Sequence, residues 1–216
     1  MDVLSHDVGV SGEPNTVWTV PSGATPVAVA QGLLPDSEGL SSPTVVALTC
    51  SEAGGGCSLL RGDAQADALS PWPASELPDD FVVSGMVIDT ASTEPRVCVY
   101  GNGLLCLGDG WQPEIPTTAD LRLNHVSIGW FWSLAVGEQG RWYKRQVDDT
   151  SALSSWEEQP PLGSVSLTYA SAADLGGVIL GEGKIQAALG TQARRAAHPR
   201  RRRSLASSLA HSPNTA

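Results

Sequence analysis

Four cysteines fall in two pairs, Cys50 with Cys57 and Cys98 with Cys106, each pair flanking a glycine-containing segment. Thiols on facing strands can close a disulfide, or they can stay reduced and half-buried, the default in a reducing cytosol. Counting outward from the turn Gly101-Asn102-Gly103 sets Tyr100 opposite Leu104 and Val99 opposite Leu105, so Cys98 faces Cys106. Cys50 and Cys57 likewise flank the loop Ser51 to Gly56. Zinc is not expected. The two pairs belong to different hairpins, and His6, His125, His198 and His211 have no ligand-like spacing to either. No cofactor is implied.

Adjacent carboxylates occur at Asp79-Asp80, Asp148-Asp149 and Glu157-Glu158. If such groups from several loops met in one cavity they could serve acid–base chemistry; singly on loops they are solvated charge. Gly54-Gly55-Gly56 lies within a hairpin turn and not ahead of a helix, the wrong setting for a phosphate loop. No nucleophile elbow accompanies the serines. Arg61-Gly62-Asp63 spells an adhesion tripeptide, read here as exposed turn residues. Arg200 to Ser204 resembles a nuclear-localisation patch or a basophilic kinase site, and equally a solubilising tail.

Seven tryptophans are present. Trp72, Trp111 and Trp156 recur after successive hairpins, which suits a repeated packing position. Trp130, Phe131 and Trp132 instead cluster at one corner. Neighbouring residues of a strand face opposite ways, so at least one of these rings should be exposed or line a pocket. We read the three as anchors for a protein partner, with core packing as the competing reading.

The elements that position these residues are short strands. Five hairpins line up: Asp7–Val10 with Val17–Val20, Val45–Leu48 with Ser58–Leu60, Val97–Tyr100 with Leu104–Leu107, Leu134–Val136 with Trp142-Tyr143, and Val178–Leu180 with Lys184–Ala187. Each turn holds glycine, which supplies the backbone angles tight hairpins demand. With Gly9, Ala47, Cys98, Ala135 and Ile179 as centres, the steps are 38, 51, 37 and 44 residues, a period suited to a blade array. Proline-rich links follow: Pro21 to Pro26, Pro71 to Pro73, Trp111 to Pro116, and Trp156 to Pro161. They are expected between strands, because proline has no N–H for a sheet ladder. A short apolar strand comes after each: Val27–Ala30, Phe81–Val83, His125–Ile128 and Val165–Thr168. The expectation is an all-β chain, a β-propeller or partial propeller of four to five blades, with a disordered C-terminal tail.

The unit Val126 to Tyr143, with Val126-Ser127, Gly129, Ser133-Leu134-Ala135-Val136, Gly140 and Tyr143, resembles the regulator of chromosome condensation repeat. Val97 to Cys106 is similar to the cysteine-paired bacterial variant of that repeat. The likeness covers roughly residues 26–190 and implies a β-propeller. Propellers have about 4–8 blades, so the chain makes a compact ring, an open arc, or part of a larger protein. The family's nucleotide-exchange activity is not implied, because no matching interaction residues stand here.

At 216 residues, one domain (1–190) and a tail (191–216) are expected. The chain has 23 glycines and 15 prolines, a balance that suits strands and turns. No run of 18 apolar residues suggests a membrane span. Met1 to Ser5 lacks a basic and apolar leader, so a cytoplasmic or nuclear location is expected. Charge is segregated. Arg194, Arg195, Arg200, Arg201, Arg202 and Arg203 follow the last acidic residue, Glu182, leaving 7 basic against 23 acidic residues in the body. Such a body repels nucleic acid, while the tail could make non-specific contact with it. Two functions compete. One is a non-enzymatic interaction scaffold. The other is a propeller hydrolase or lyase acting on a small molecule or glycan through acidic loop residues such as Asp79, Asp80, Asp148 and Asp149. A divergent or truncated reading frame without function is a third possibility.

Overall fold

In the computed structural model, the described residues are 2–5, 16–20, 22–36, 38–51, 56–63, 68–73, 76–92, 94–146, 154–173, 176–182 and 184–189. The basic tail, Asp148-Asp149 and the turn that would follow Asp7–Val10 lie outside them. The chain is all-β. Seventeen strands run in order: β1 Asp2–Ser5, β2 Thr16–Thr19, β3 Ala24–Pro35, β4 Ser41–Ser51, β5 Cys57–Asp63, β6 Ser70–Trp72, β7 Val83–Asp89, β8 Arg96–Gly101, β9 Leu104–Gly108, β10 Gly110–Ile115, β11 Leu123–Ile128, β12 Trp132–Gly137, β13 Trp142–Gln146, β14 Glu157–Gln159, β15 Leu167–Ala173, β16 Gly176–Gly181 and β17 Lys184–Leu189. The only helical piece among the described residues is a 3-10 turn at Glu138–Gly140.

After the β1–β2 hairpin the strands pair in sequence as antiparallel meanders: β3–β6, β7–β10 and β11–β14 with four strands each, then β15–β17 with three. The first strands of successive sheets, β3, β7, β11 and β15, are spatial neighbours in that order. Four-stranded meanders set side by side through their first strands are propeller blades. The protein is therefore of β-propeller type, and we call the four sheets blades 1 to 4.

Burial explains why the strands read as they do. The second strand of each blade is clamped between two neighbours, so β4, β8 and β12 are apolar on both faces and show no alternation. Val46, Leu48 and Leu59 of blade 1 pack on Met86, Ile88, Val97 and Val99 of blade 2. Cys98, Tyr100 and Leu104 of blade 2 meet Leu123, Val126, Ala135 and Tyr143 of blade 3. Leu134 and Val136 of blade 3 meet Leu167, Ala170 and Ile179 of blade 4. Each such aliphatic side chain contributes on the order of 1.5–3 kcal/mol on burial, so the seams between blades are the core.

The repeat has a backbone signature that the hairpin alignment did not contain. Every first strand carries a register shift near its start, at Pro26/Ala28, Val83/Gly85, Leu123/His125 and Leu167/Tyr169. Opposite the first residue of each shift stand Thr49, Gly101, Gly137 and Gly181. In blades 2 to 4 the residue after the glycine donates its N–H to the carbonyl just ahead of the first strand: Asn102 to Val82, Glu138 to Arg122, Glu182 to Ser166. A Cβ at Gly101 or Gly137 would collide with that same carbonyl oxygen. Counting from these positions makes Ala47, Val99, Ala135 and Ile179 equivalent, 52, 36 and 44 residues apart. The centre of blade 2 is thus Val99 and not Cys98. The one-residue slip matters because it exchanges faces: Val99 packs toward blade 1, Cys98 toward blade 3.

Three further expectations are corrected. The partner described for Val17–Thr19 is Asp2–Leu4, within the pairing of Asp2–Ser5 with Thr16–Thr19, and Asp7–Val10 lies outside the described residues. The second apolar strand starts at Val83 and runs to Asp89, beyond the Phe81–Val83 segment. The proline links are not all outside the sheets: Pro71 lies in β6 and Pro113 in β10, the outer edge strands of their blades. An edge strand has one side without a ladder partner, so a missing N–H is tolerated there.

Candidate functional site

Because strands alternate in direction, the odd-numbered strands of blades 1 to 4 all finish at one end of the blades. The β3–β4, β7–β8, β9–β10 and β11–β12 connections share this end. The β4–β5, β8–β9 and β12–β13 turns and the links between blades share the other.

Near the first end, blades 2 and 3 are joined by a buried ion pair. Asp89, the last residue of β7, accepts hydrogen bonds from Arg145 of β13 at 2.8 Å to Nη1 and 2.9 Å to Nη2. Ser133 Oγ accepts a third bond from Arg145 Nη2 at 3.3 Å, and the guanidinium lies 5.0 Å from the Trp156 ring centroid. Asp89 also fixes its own turn by accepting from the backbone N–H groups of Ala91 and Ser92 and from Ser92 Oγ. Arg96 reaches Asp89 at 3.4 Å and Glu114 at 2.8 Å. Burial pushes the Asp89 carboxyl up, but the Arg145 bonds and charge, the Ser92 hydroxyl and the Arg96 charge outweigh it, and the net shift is downward. Ligand atoms of Asp89, Cys98 and Cys106 cluster within 4.8 Å. The sulfurs are bonded to each other and the carboxylate to Arg145, so the trio is arranged as a tie between strands.

Along the same end, between blades 1 and 2, lies a groove. Arg61 of β5 stacks on Trp72 of β6, 5.2 Å from the ring centroid, and donates a hydrogen bond to the Pro35 carbonyl. Arg61 and Trp72 form a ridge between two cavities of about 450 and 440 Å³. The first extends to Arg96, Leu107 and Asp109 of blade 2; the second includes Asp36 and Asp63 of blade 1. Arg61-Gly62-Asp63 therefore sits on a strand, with Arg61 and Gly62 partly buried, and is not an exposed turn.

The third feature is the aromatic corner at the β11–β12 connection. Trp130 is 68% exposed, Phe131 is partly buried, and Trp132 is 7% exposed with the Lys144 ammonium 5.8 Å from its ring. The three are thus divided: Trp130 faces solvent while Trp132 supports the corner from within.

The cysteines sit at directly opposed register positions, Cys50 with Cys57 and Cys98 with Cys106, with Cα atoms 4.1 and 4.0 Å apart, and both pairs are disulfide-bonded. Asp79 and Asp80 are exposed on the link at the opposite end, where the Asp80 carbonyl accepts a bond from Asn102 Nδ2. His125 of β11 stacks on Tyr169 at 4.4 Å and accepts the Ala170 N–H; burial lowers its pKa below 6.5. Arg61, Asp89, Arg96 and Arg145 carried no signal as a group in the sequence. Asp89 and Arg145 are 56 residues apart, and only the meander topology brings them together.

No known family model and no curated protein sequence matches the chain. Among solved structures, it is similar to YCF48 from Cyanidioschyzon merolae, at 13% identity with a TM-score of 0.45 over 74% of this chain and 50% of that one. The chain thus spans about half the length of that structure. The propeller assignment stands on the sheet order and the seams between blades. No helix among the described residues is long and apolar enough to cross a membrane.

Proposed function

We propose that the chain is a non-enzymatic interaction scaffold, built of repeats resembling the regulator of chromosome condensation repeat, which presents one end of its blades to a protein partner. The observation that carries this reading is Trp130, a large ring left 68% exposed at the β11–β12 connection. Exposed tryptophans concentrate binding energy at protein interfaces, since one ring buries 150–250 Å² in a rigid shape. The unit behind the resemblance, Val126 to Tyr143, runs from the second half of β11 through β12 to the first two residues of β13.

The acid-based enzyme reading receives less support. The first cavity is lined by a single carboxylate, Asp109, and the second by Asp36 and Asp63 of one blade. In neither do carboxylates from different blades converge. The arginine-rich tail, Arg194 to Arg203, would add non-specific electrostatic contact. The cytoplasmic or nuclear expectation stands against two closed disulfides, which persist where the surroundings are oxidising.

The test uses immobilised full-length chain and an extract of its native source. A partner should be retained by the wild type and by Val82→Ala, an exposed apolar control on the link at the other end. Trp130→Ala should lose it at least tenfold. A partner held equally by all three sinks the assignment.

A further inference from the structure

Among the described residues two arginines stack on a tryptophan at the outer strands of their blade. Arg145 lies 5.0 Å from Trp156, and Arg61 lies 5.2 Å from Trp72. Arg145 uses its fork to hold the Asp89 carboxylate with two bonds. Among the described residues Arg61 makes one hydrogen bond, to the Pro35 carbonyl, and no carboxylate lies within ion-pair distance of it. Where Arg145 has Asp89, Arg61 has open cavities on both sides.

We propose that the Arg61–Trp72 groove is a recognition site for an acidic peptide segment, an extended stretch carrying one aspartate or glutamate next to an apolar residue. The carboxylate takes the remaining N–H groups of Arg61, the pairing a guanidinium fork is shaped for. The apolar neighbour lies against Trp72, Pro73 and Leu107, which line the first cavity. Arg96 enters that cavity from blade 2, but its Nη2 already serves Asp89 and Glu114 and its Nε is buried. The carboxylate enters the first cavity, because Asp36 and Asp63 line the second. Asp109 in the first disfavours a second negative charge, so the site takes one carboxylate in preference to a phosphate or a run of acids. The assignment uses the scaffold reading only in giving the groove a peptide, and the Trp130 surface can fail without it.

The experiment measures fluorescence anisotropy of labelled dodecapeptides with the full-length chain. Each peptide carries a single glutamate flanked by leucine or proline, and each has a glutamine twin. At least one glutamate member should bind, with its twin at least tenfold weaker. Arg61→Gln should erase that preference, and Arg61→Lys, which keeps the charge and loses the fork, should retain part of it. Val82→Ala, an exposed residue on the link at the other end of the blades, should leave it unchanged. The proposal is overturned if twins bind alike, if no member binds, or if the preference survives Arg61→Gln. It is also overturned if free glutarate displaces the peptide at matching concentration, which would make a small acid the ligand. Since the twins are compared on the wild-type chain, a variant that fails to fold leaves the test intact.

Discussion

Arg145 of β13 holds Asp89 of β7 across the seam between two blades, with two hydrogen bonds of 2.8 and 2.9 Å and both side chains buried. Removing either partner strands a buried charge. Arg145→Met and Asp89→Ala should each cost about 3–5 kcal/mol in urea unfolding, and the double variant less than their sum. The pH dependence has a definite sign. The folded Asp89 carboxyl is held below its ordinary 3.8, so its contribution is present above that value and is lost as pH falls through the lowered one. The Asp89→Asn chain should show a flatter acid limb.

Gly101 is required by the carbonyl it packs on. A Cβ there meets the Val82 carbonyl oxygen, which cannot move without breaking the bond from Asn102 N–H. Gly101→Ala should therefore destabilise by about 2 kcal/mol or more. Gly108→Ala is the control, because a Cβ at Gly108 meets nothing within 4 Å. Thermal unfolding of the pair measures the difference.

How much of this was legible from sequence follows from the range of each signal. Hairpin turns are local, so the Gly101-Asn102-Gly103 turn placed Cys98 opposite Cys106 in the register observed. Outer strands are also local but carry proline, and β6 and β10 were hidden by the rule that proline leaves sheets, which does not bind an unpaired edge. The slip from Val99 to Cys98 arose because β8 is buried on both faces and shows no alternation to fix its phase. Asp89, Arg145 and Arg61 lie on three different strands, β7, β13 and β5. Their roles depend on partners from other strands or blades, which no window of sequence contains.

The two disulfides should differ in reactivity. Cys98 and Cys106 are each 1% exposed, whereas Cys50 and Cys57 are only partly buried. Under mild reductant in the folded state, alkylation followed by mass spectrometry should label Cys50 and Cys57 first. Closing loops of this size contributes about 2.5 kcal/mol in the chain-entropy picture, so full reduction should lower the melting temperature measurably. Simultaneous labelling of all four would contradict the burial difference.

His125 gives the chain a second pH dependence. Burial lowers its pKa, and its neutral ring accepts the Ala170 N–H beside Tyr169. As pH falls below 6.5 the unfolded chain takes up this proton before the folded one. The contribution of His125 is therefore present above 6.5 and lost as pH falls through the lowered value. Melting temperature should decline from pH 7 to 5, and His125→Gln should flatten that decline.

Hydrogen exchange on the full-length chain, alone and with a partner captured through Trp130, tests most directly the claim that one end of the blades is the binding end. Protection should gather at residues 128–133 and at neighbouring loops of the same end, such as 90–96 and 108–110. Protection centred instead on the Gly101–Gly103 and Glu138–Gly140 turns would place the partner at the opposite end and contradict the account.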